Sequence, residues 1–134
     1  NACTKLKKII IPDSVTSIQS YAFKECSQLQ QISIKSVSEI GEGAFYRCTS
    51  LKQIILSSAV KSIKPNTFRS CTSLSEITIP SSVTSIGSYS FSKCTSLKKV
   101  IIPANVKLIE DCAFLNCSLL NEITISSSFF DRYF

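Results

Sequence analysis

Residues 79–94 read Ile-Pro-Ser-Ser-Val-Thr-Ser-Ile-Gly-Ser-Tyr-Ser-Phe-Ser-Lys-Cys, and close copies of this stretch recur along the chain. The recurrence is clearest at its last residue, since six cysteines are separated by steps of 23, 22, 23, 23 and 23 residues. They are Cys3, Cys26, Cys48, Cys71, Cys94 and Cys117. A leucine follows each cysteine by three residues, and a phenylalanine closes each unit at Phe23, Phe45, Phe68, Phe91 and Phe114. A repeat of this length indicates stacked coils.

Each unit reads C-x-x-L-x-x-I-x-I-P-x-S-V-x-x-I-x-x-x-A-F-x-x, and its first half predicts one short strand. The last two apolar side chains of L-x-x-I-x-I share a face, which is typical of a strand. Pro12, Pro80 and Pro103 end the strand because proline cannot donate to a ladder. The second half mixes apolar spacings of three and five, so we predict a bent return segment with a single helical turn near the phenylalanine. One unit cannot bury these side chains alone, whereas stacked units bury them in an elongated core.

The single 22-residue step is a local deletion. Ile11-Pro-Asp-Ser-Val15 contains one residue more than Ile34-Lys-Ser-Val37, so the deletion lies in the turn after the strand. A turn tolerates the loss of a residue, whereas a strand would exchange its two faces. We therefore expect the strands to stay in register across this step.

The composition excludes most catalytic chemistry. The chain has 134 residues, of which 44% are hydrophobic and 18% charged, with a net charge of +6, so we expect a folded domain. There is no histidine, which removes the Ser-His-Asp triad, the Cys-His dyad and histidine metal ligands. Three glycines form no phosphate-binding loop, and no C-x-x-C pair is present. We predict no enzyme activity, no cofactor, no metal site and no membrane span, since no apolar run approaches about 18 residues.

The unit resembles the BspA-like, or Treponema pallidum-type, subclass of leucine-rich repeats. L-x-x-L-x-L is the strand signature of leucine-rich repeats, and I-P-x-S-V-x-x-I-G-x-x-A-F-x-x-C is the extension of this subclass, which residues 79–94 match nearly throughout. The resemblance covers roughly residues 1–125 and implies a curved solenoid on the surface of mucosal bacteria or protozoan parasites. Its members are linked to adhesion and co-aggregation. The chain departs from the pattern where Lys35, Ser57 and Ser126 replace the proline.

The predicted fold is therefore a leucine-rich repeat solenoid. We expect a curved right-handed α/β-type coil with one short parallel β-strand per repeat of about 23 residues and irregular or short-helical return segments. Residues 1–134 form one domain, which we expect to be a fragment of a longer chain. The predicted repeats are 3–25, 26–47, 48–70, 71–93, 94–116 and the partial repeat 117–134. The pattern fails after Ser128, so residues 129–134 are predicted to cap the core, the alternative being an exposed tail that touches a membrane.

The cysteine column is predicted to consist of free, buried thiols. Stacked repeats lie roughly 4.8 Å apart, which is within reach of a disulfide, but neighbouring cysteines in register point the same way. A regularly repeated cysteine also packs well as a small apolar residue. Disulfides remain the alternative. Cys112 lies outside the column and is the candidate reactive thiol, the favoured alternative being a partly buried, inert one.

The candidate binding residues are those that the strand alternation directs away from the core. They vary in chemistry from repeat to repeat while the core positions hardly change, which indicates a surface free of packing demands. Isoleucine and lysine each recur in alternate repeats, a mixture that suits a protein partner or an acidic glycan. The alternative is a solvated sheet face with incidental β-forming residues. The candidates are Lys7, Lys8, Ile10, Gln31, Ser33, Lys52, Gln53, Ile55, Glu76, Thr78, Lys98, Lys99, Ile101, Glu122 and Thr124.

Together these features favour a non-catalytic protein-interaction module. The resemblance implies a cell-surface or secreted adhesin or surface antigen that binds a host-cell or matrix protein through its strand face. The alternative is a cytoplasmic interaction arm of a larger signalling protein or enzyme. Nucleic acid is disfavoured, because lysines lie on both halves of the unit and arginine is scarce. Glu76, Lys99 and Glu122 fall in one column and predict a structural charge ladder.

Overall fold

The computed structural model describes residues 3–126, which form a parallel β-solenoid of about five turns. Its strands are β1 (Lys8–Ile10), β2 (Ser17–Ile18), β3 (Gln31–Ile34), β4 (Glu39–Ile40), β5 (Gln53–Leu56), β6 (Ser62–Ile63), β7 (Ser85–Ile86), β8 (Lys99–Ile102), β9 (Leu108–Ile109) and β10 (Glu122–Ile125). All six pairings between them are parallel, and they form four small sheets with the orders β1-β3-β5, β10-β8, β2-β4 and β6-β7-β9. The solenoid prediction is thus confirmed, while its curvature and handedness stay predictions.

The strands stack in the register that the repeats indicate. Ile9 lies opposite Ile32, which lies opposite Ile54, so this core column is continuous over the first three coils. The one-residue deletion is absorbed in the turn as expected. The amide of Val37 donates to the carbonyl of Ile34 at 3.2 Å, and the next coil closes its turn in the same way one residue later.

The predicted helical turn and the α/β class are wrong, because the described residues form no helix. Each return segment instead contributes a second short strand made from the V-x-x-I sequence, which appears as β2, β4, β6, β7 and β9. Two residues per coil then take a left-handed backbone conformation, with φ between 55° and 62°. They are Tyr21, Gly43, Asn66, Tyr89 and Cys112, and four residues later Glu25, Arg47, Ser70, Lys93 and Asn116. Left-handed residues at this spacing interrupt any right-handed helix.

The turns of successive coils are joined by a continuous set of backbone hydrogen bonds, which we call the turn ladder. The amide of Phe23 donates to Ala44 O, and that of Phe45 to Thr67 O. The same bond joins Phe68 to Ser90 and Phe91 to Ala113, all four at 2.8–2.9 Å. Residues two positions before and after each phenylalanine repeat it, for example Arg47 N to Arg69 O at 2.9 Å. These donors are used between coils, which is why they form no helix.

The phenylalanine rings stack along the same side of the core. Ring centroids from Phe23 to Phe114 are 5.3–5.5 Å apart, and the planes lie within 16° of parallel. Phe45, Phe68 and Phe91 are fully buried. Offset aromatic stacking adds stabilisation beyond burial, so this column and the turn ladder bind the same side of every coil to the next.

The fourth repeat lacks the predicted strand, so the expectation of one strand in every repeat is wrong there. Residues 76–79 are not part of any sheet, and the only ladder bond beside them is a long one of 3.5 Å from Lys98 N to Ser75 O. Ile77 and Ile79 nevertheless point into the core, and Glu76 and Thr78 are exposed. Side-chain packing holds this segment in place where backbone hydrogen bonds do not.

The cysteine column has a specific structural role. The Sγ atoms of Cys48, Cys71, Cys94 and Cys117 each lie 3.0–3.2 Å from a phenylalanine carbonyl of the preceding coil. A thiol is small and apolar and still donates a weak hydrogen bond, which explains a repeated cysteine at this position. All seven cysteines are free thiols, and the four central members of the column are buried as predicted. The expectation of burial is wrong at the two ends of the column, where Cys3 is exposed and Cys117 is half-buried. Burial raises the pKa of the Cys48 thiol to about 12, so this thiol stays protonated at neutral pH.

The last described coil leaves several large apolar side chains exposed, including Leu108, Leu119 and Ile123. The predicted cap at residues 129–134 lies outside the described residues. None of the described residues forms a helix that is long and apolar enough to cross a bilayer.

Candidate functional site

The predicted binding residues lie on one surface, which we call the strand face. It consists of the outward positions of β1, β3, β5, β8 and β10, of residues 76–79, and of the residues that precede the strands. Fourteen of the fifteen candidates are exposed, and Ser33 is half-buried. The alternation is clearest in β3 and β8, where every second side chain is buried in the core, whereas Ile123 at the corresponding position of β10 is exposed.

Three large apolar side chains are exposed on the strand face. Ile10 is 82% exposed, Ile55 45% and Ile101 52%. Ile10 lies opposite Ser33, which lies opposite Ile55, so the first two isoleucines share one column. Buried core isoleucines of the same strands are at most a few per cent exposed, for example Ile54 at 3%. Large aliphatic side chains left in water at regular intervals are typical of a surface that a partner covers.

A column of polar side chains runs beside the isoleucines, and lysine recurs in every second coil. Backbone hydrogen bonds join Lys7 to Gln30 and Gln30 to Lys52, each at 3.0 Å, and the contact continues from Ser75 to Lys98 at 3.5 Å. Lysines in alternate coils are therefore about 10 Å apart. The three lysines Lys7, Lys52 and Lys98 are exposed, and no carboxylate pairs with them within residues 3–126. The strand face therefore carries unpaired positive charge next to exposed apolar groups.

The predicted charge ladder is present in part. Lys99 Nζ lies 2.6 Å from Glu122 Oε1, with both side chains half-exposed, and Thr124 donates to the same oxygen at 3.2 Å. The hydrogen bonds from Lys99 and then from Thr124 lower the pKa of Glu122. Glu76 forms no ion pair in the described part of the chain, so the ladder stops at two members. The missing ladder bonds beside Glu76 explain this, because they leave its coil less closely joined to β8.

Two clefts open on the strand face. One, of about 320 Å³, lies over β1 and β3 and is lined by Lys8, Ile10 and Gln31 among others, with Ile55 at its margin. The second, of about 420 Å³, lies between β5 and residues 76–80 and is lined by Ile55 and Thr78. Ile55 thus borders both clefts, which makes it the central apolar residue of the strand face.

The abundant serines are structural. Ser73 and Ser96 donate their hydroxyls to carbonyls of the preceding coil, and Ser82 does the same to Val60 O, each at 2.6 Å. These hydroxyls satisfy backbone carbonyls at the turns, which is a structural role.

The structure also brings together charged and aromatic residues that the sequence did not indicate. Lys24, Arg47 and Arg69 surround the ring of Tyr46 on the turn side of the solenoid. They come from three coils, and Lys24, Tyr46 and Arg69 each directly follow the phenylalanine of their unit, so an alignment of the repeats could have grouped these three residues. Arg47 lies one position further along its unit, two residues after Phe45.

Comparison with known proteins identifies the repeats. The BspA type leucine rich repeat region matches residues 1–121 in six copies. A leucine rich cell surface protein from Faecalibacterium prausnitzii A2-165 is 35% identical with a TM-score of 0.88, and 93% of this chain covers 34% of that one. A leucine-rich repeat protein from Bacteroides ovatus is also 35% identical, with a TM-score of 0.84 over 87% of this chain and 33% of that one.

The leucine rich repeat protein of T. pallidum is 30% identical with a TM-score of 0.78, over 88% of this chain and 69% of that one. No curated protein sequence matches significantly. The chain spans about a third of the length of the Faecalibacterium and Bacteroides proteins. Because the family match extends over most of the residues and agrees with the stacked parallel coils, the chain belongs to the BspA-type leucine-rich repeat family.

Proposed function

We propose that this chain is a non-catalytic protein-interaction module of a cell-surface adhesin or surface antigen, and that it binds a host-cell or matrix protein through its strand face. The observation that carries the proposal is the exposure of Ile10, Ile55 and Ile101 on that face. Burying such side chains against a partner gains about 25 cal/mol per Å² of apolar surface removed from water. The neighbouring unpaired lysines add attraction for an acidic partner.

The cell-surface location is supported by the relatives rather than by the strand face. The Faecalibacterium protein is described as a leucine rich cell surface protein, and it shares 35% of its aligned residues with this chain. A rigid array of coils presents many side chains at fixed spacing, which suits recognition of an extended or repetitive protein surface. An acidic glycan is the second candidate ligand of the same face, supported by its lysines.

The test compares two triple variants in binding to immobilised extracellular-matrix proteins by surface plasmon resonance. The strand-face variant Ile55→Ser, Lys98→Gln, Lys99→Gln removes one exposed isoleucine and two positive charges. The matched control Leu108→Ser, Lys61→Gln, Lys107→Gln removes one exposed aliphatic side chain and two lysines from the second-strand side.

We expect the strand-face variant to lose binding and the control to retain it, with both keeping the melting temperature of the parent chain. Equal binding by the two variants would move the site away from the strand face. Binding of none of the matrix proteins by the parent chain would favour an interaction arm of an intracellular protein instead.

A further inference from the structure

We propose a second recognition site on the turn side of the solenoid, where Arg69 and the cations around Tyr46 bind an acidic segment of a protein partner. This Tyr46 cluster consists of Tyr46, Tyr89, Lys24, Arg47 and Arg69. It is separate from the strand face and does not depend on the function proposed for that face.

Three cations share one aromatic ring. The distances to the centroid of Tyr46 are 5.4 Å for Arg47 Cζ, 5.9 Å for Lys24 Nζ and 6.0 Å for Arg69 Cζ. Each attraction to the ring is favourable, but like charges held this close also repel one another. A bound anion removes that repulsion, so the arrangement favours a negatively charged partner.

Most of this charge is not neutralised within residues 3–126. Arg47 is 3.4 Å from Glu25 Oε1, and this is the one ion pair that the cluster makes. Of the other carboxylates nearby, Glu42 accepts hydrogen bonds from the hydroxyl of Tyr21 at 2.8 Å and from the amide of Asn66 at 3.4 Å. Asp111 is close enough to Tyr89 to act on it electrostatically, but it forms no ion pair within residues 3–126. Lys24 and Arg69 are therefore left without a carboxylate partner in the described part of the chain.

The guanidinium of Arg69 is oriented by its neighbours in a way that suits a planar anion. Its guanidinium lies 5.0 Å from the centroid of Tyr89 and 6.0 Å from that of Tyr46, and the side chain is half-buried. Nη1 donates to Asn66 Oδ1 at 3.2 Å, and the remaining N–H groups have no partner among residues 3–126. A guanidinium fixed by two rings has already lost much of its side-chain entropy, so a two-pronged bond to a carboxylate costs little further ordering.

The occupant that fits best is an acidic peptide rather than a sugar or a nucleic acid. The tyrosine rings already have cations placed against them, so they are not free platforms on which a sugar or a base could stack. Tyrosine and arginine together are typical of protein interfaces. Lys24 to Tyr89 spans three coil steps, about 14 Å, which about five residues of an extended peptide cover.

The test measures fluorescence anisotropy of a fluorescein-labelled peptide of about eight residues in which glutamate alternates with glycine. Titrations with the parent chain are made at ionic strengths of about 0.01 M and 0.15 M, because screening separates diffuse attraction from a formed contact. The first variant, Arg69→Lys, keeps the positive charge but cannot form two parallel hydrogen bonds to a carboxylate. The second variant, Lys61→Gln, removes a positive charge that lies away from the cluster. Tyr89→Leu removes the aromatic ring that lies against Arg69, whereas Tyr89→Phe keeps that ring and serves as the matched control.

We expect Arg69→Lys to weaken peptide binding roughly tenfold or more, since a charge-assisted pair of hydrogen bonds is lost. Tyr89→Leu should weaken it in the same direction, while Tyr89→Phe, Lys61→Gln and the strand-face triple variant should leave it nearly unchanged. Circular dichroism spectra that match the parent show that each variant is folded.

Three results would overturn this proposal. They are an absence of binding by the parent chain, equal effects of Arg69→Lys and Lys61→Gln, and tighter Arg69-dependent binding of a heparin hexasaccharide than of the peptide. None of them bears on matrix-protein binding by the strand face, so the two proposals fail independently.

Discussion

Removing one ring from the middle of the phenylalanine column should destabilise the solenoid far more than removing the last ring. Phe68 is fully buried and stacks on both neighbours, at 5.5 Å from Phe45 and 5.4 Å from Phe91. Phe114 is half-buried and, within residues 3–126, stacks on Phe91 alone at 5.3 Å. Each residue occupies the same position of the unit, so the comparison isolates the effect of neighbouring coils.

The size of the difference follows from these contacts. Replacing a fully buried phenylalanine by alanine costs about 3–5 kcal/mol through lost transfer energy and the cavity that remains. Each aromatic pair contributes about 0.5–1.5 kcal/mol beyond burial, and Phe68→Ala breaks two pairs. We expect about 5 kcal/mol for Phe68→Ala and about 2 kcal/mol for Phe114→Ala, which breaks one pair and leaves a smaller cavity.

The assay is urea unfolding followed by far-ultraviolet circular dichroism, with the free energy extrapolated to water. A domain stability of about 5–15 kcal/mol means that Phe68→Ala removes a large share of the total. Similar losses for the two variants would refute the reasoning, because they would show that contacts between coils contribute little to the stability of the column.

Three further results are expected. Burial raises the pKa of the Cys26 thiol to about 11 and that of Cys48 to about 12, above the ordinary value of 9.0. The stability that these protonated thiols contribute is therefore complete below pH 9 and is lost as the pH rises toward 12. Urea midpoints that stay constant up to pH 11 would contradict this. Gly87→Ala should cost about 1–3 kcal/mol, since a Cβ would collide with the backbone of Pro65; an unchanged melting temperature would show that the coils are less closely stacked there. Glu122→Gln should leave the urea midpoint at neutral pH unchanged, because exposed ion pairs contribute little; a clear fall would assign the pair a structural role.

The core and the strand face could be predicted from the sequence because each depends on a period repeated five or six times. Cysteine, leucine, isoleucine and phenylalanine return at fixed steps, and stacking then places equivalent residues opposite one another, as Ile32 and Ile54 are. The outward positions follow from strand alternation. Repetition thus supplied the information on long-range contacts that a single sequence normally lacks.

The turn side could not be predicted in the same way. The second strands are two residues long, such as Ser85–Ile86, which is too short to show a period. Tyr21, Arg47 and Asn66 have left-handed backbones although none is a glycine, so no residue type marked this conformation. The coil-to-coil hydrogen bonds of the turn ladder override the local preference, and such bonds are visible only in three dimensions.

The absence of a strand at residues 76–79 could not be predicted from the sequence either. The same tetrapeptide, Glu-Ile-Thr-Ile, occurs at residues 76–79 and at residues 122–125, yet only the second copy forms a strand. Since the two tetrapeptides are identical, the difference comes from the neighbouring coils and not from local propensity.

Native-state hydrogen exchange tests most directly whether the coils are joined chiefly along their turns. We predict the slowest exchange at the turn-ladder amides of Phe45 and Phe68, which donate between buried coils, and fast exchange at the amides of residues 76–79, which have no ladder bonds. Protection should therefore peak once per repeat, beside each central phenylalanine. Protection that is highest at residues 76–79, or that runs evenly through long blocks of consecutive residues, would contradict this account of the solenoid.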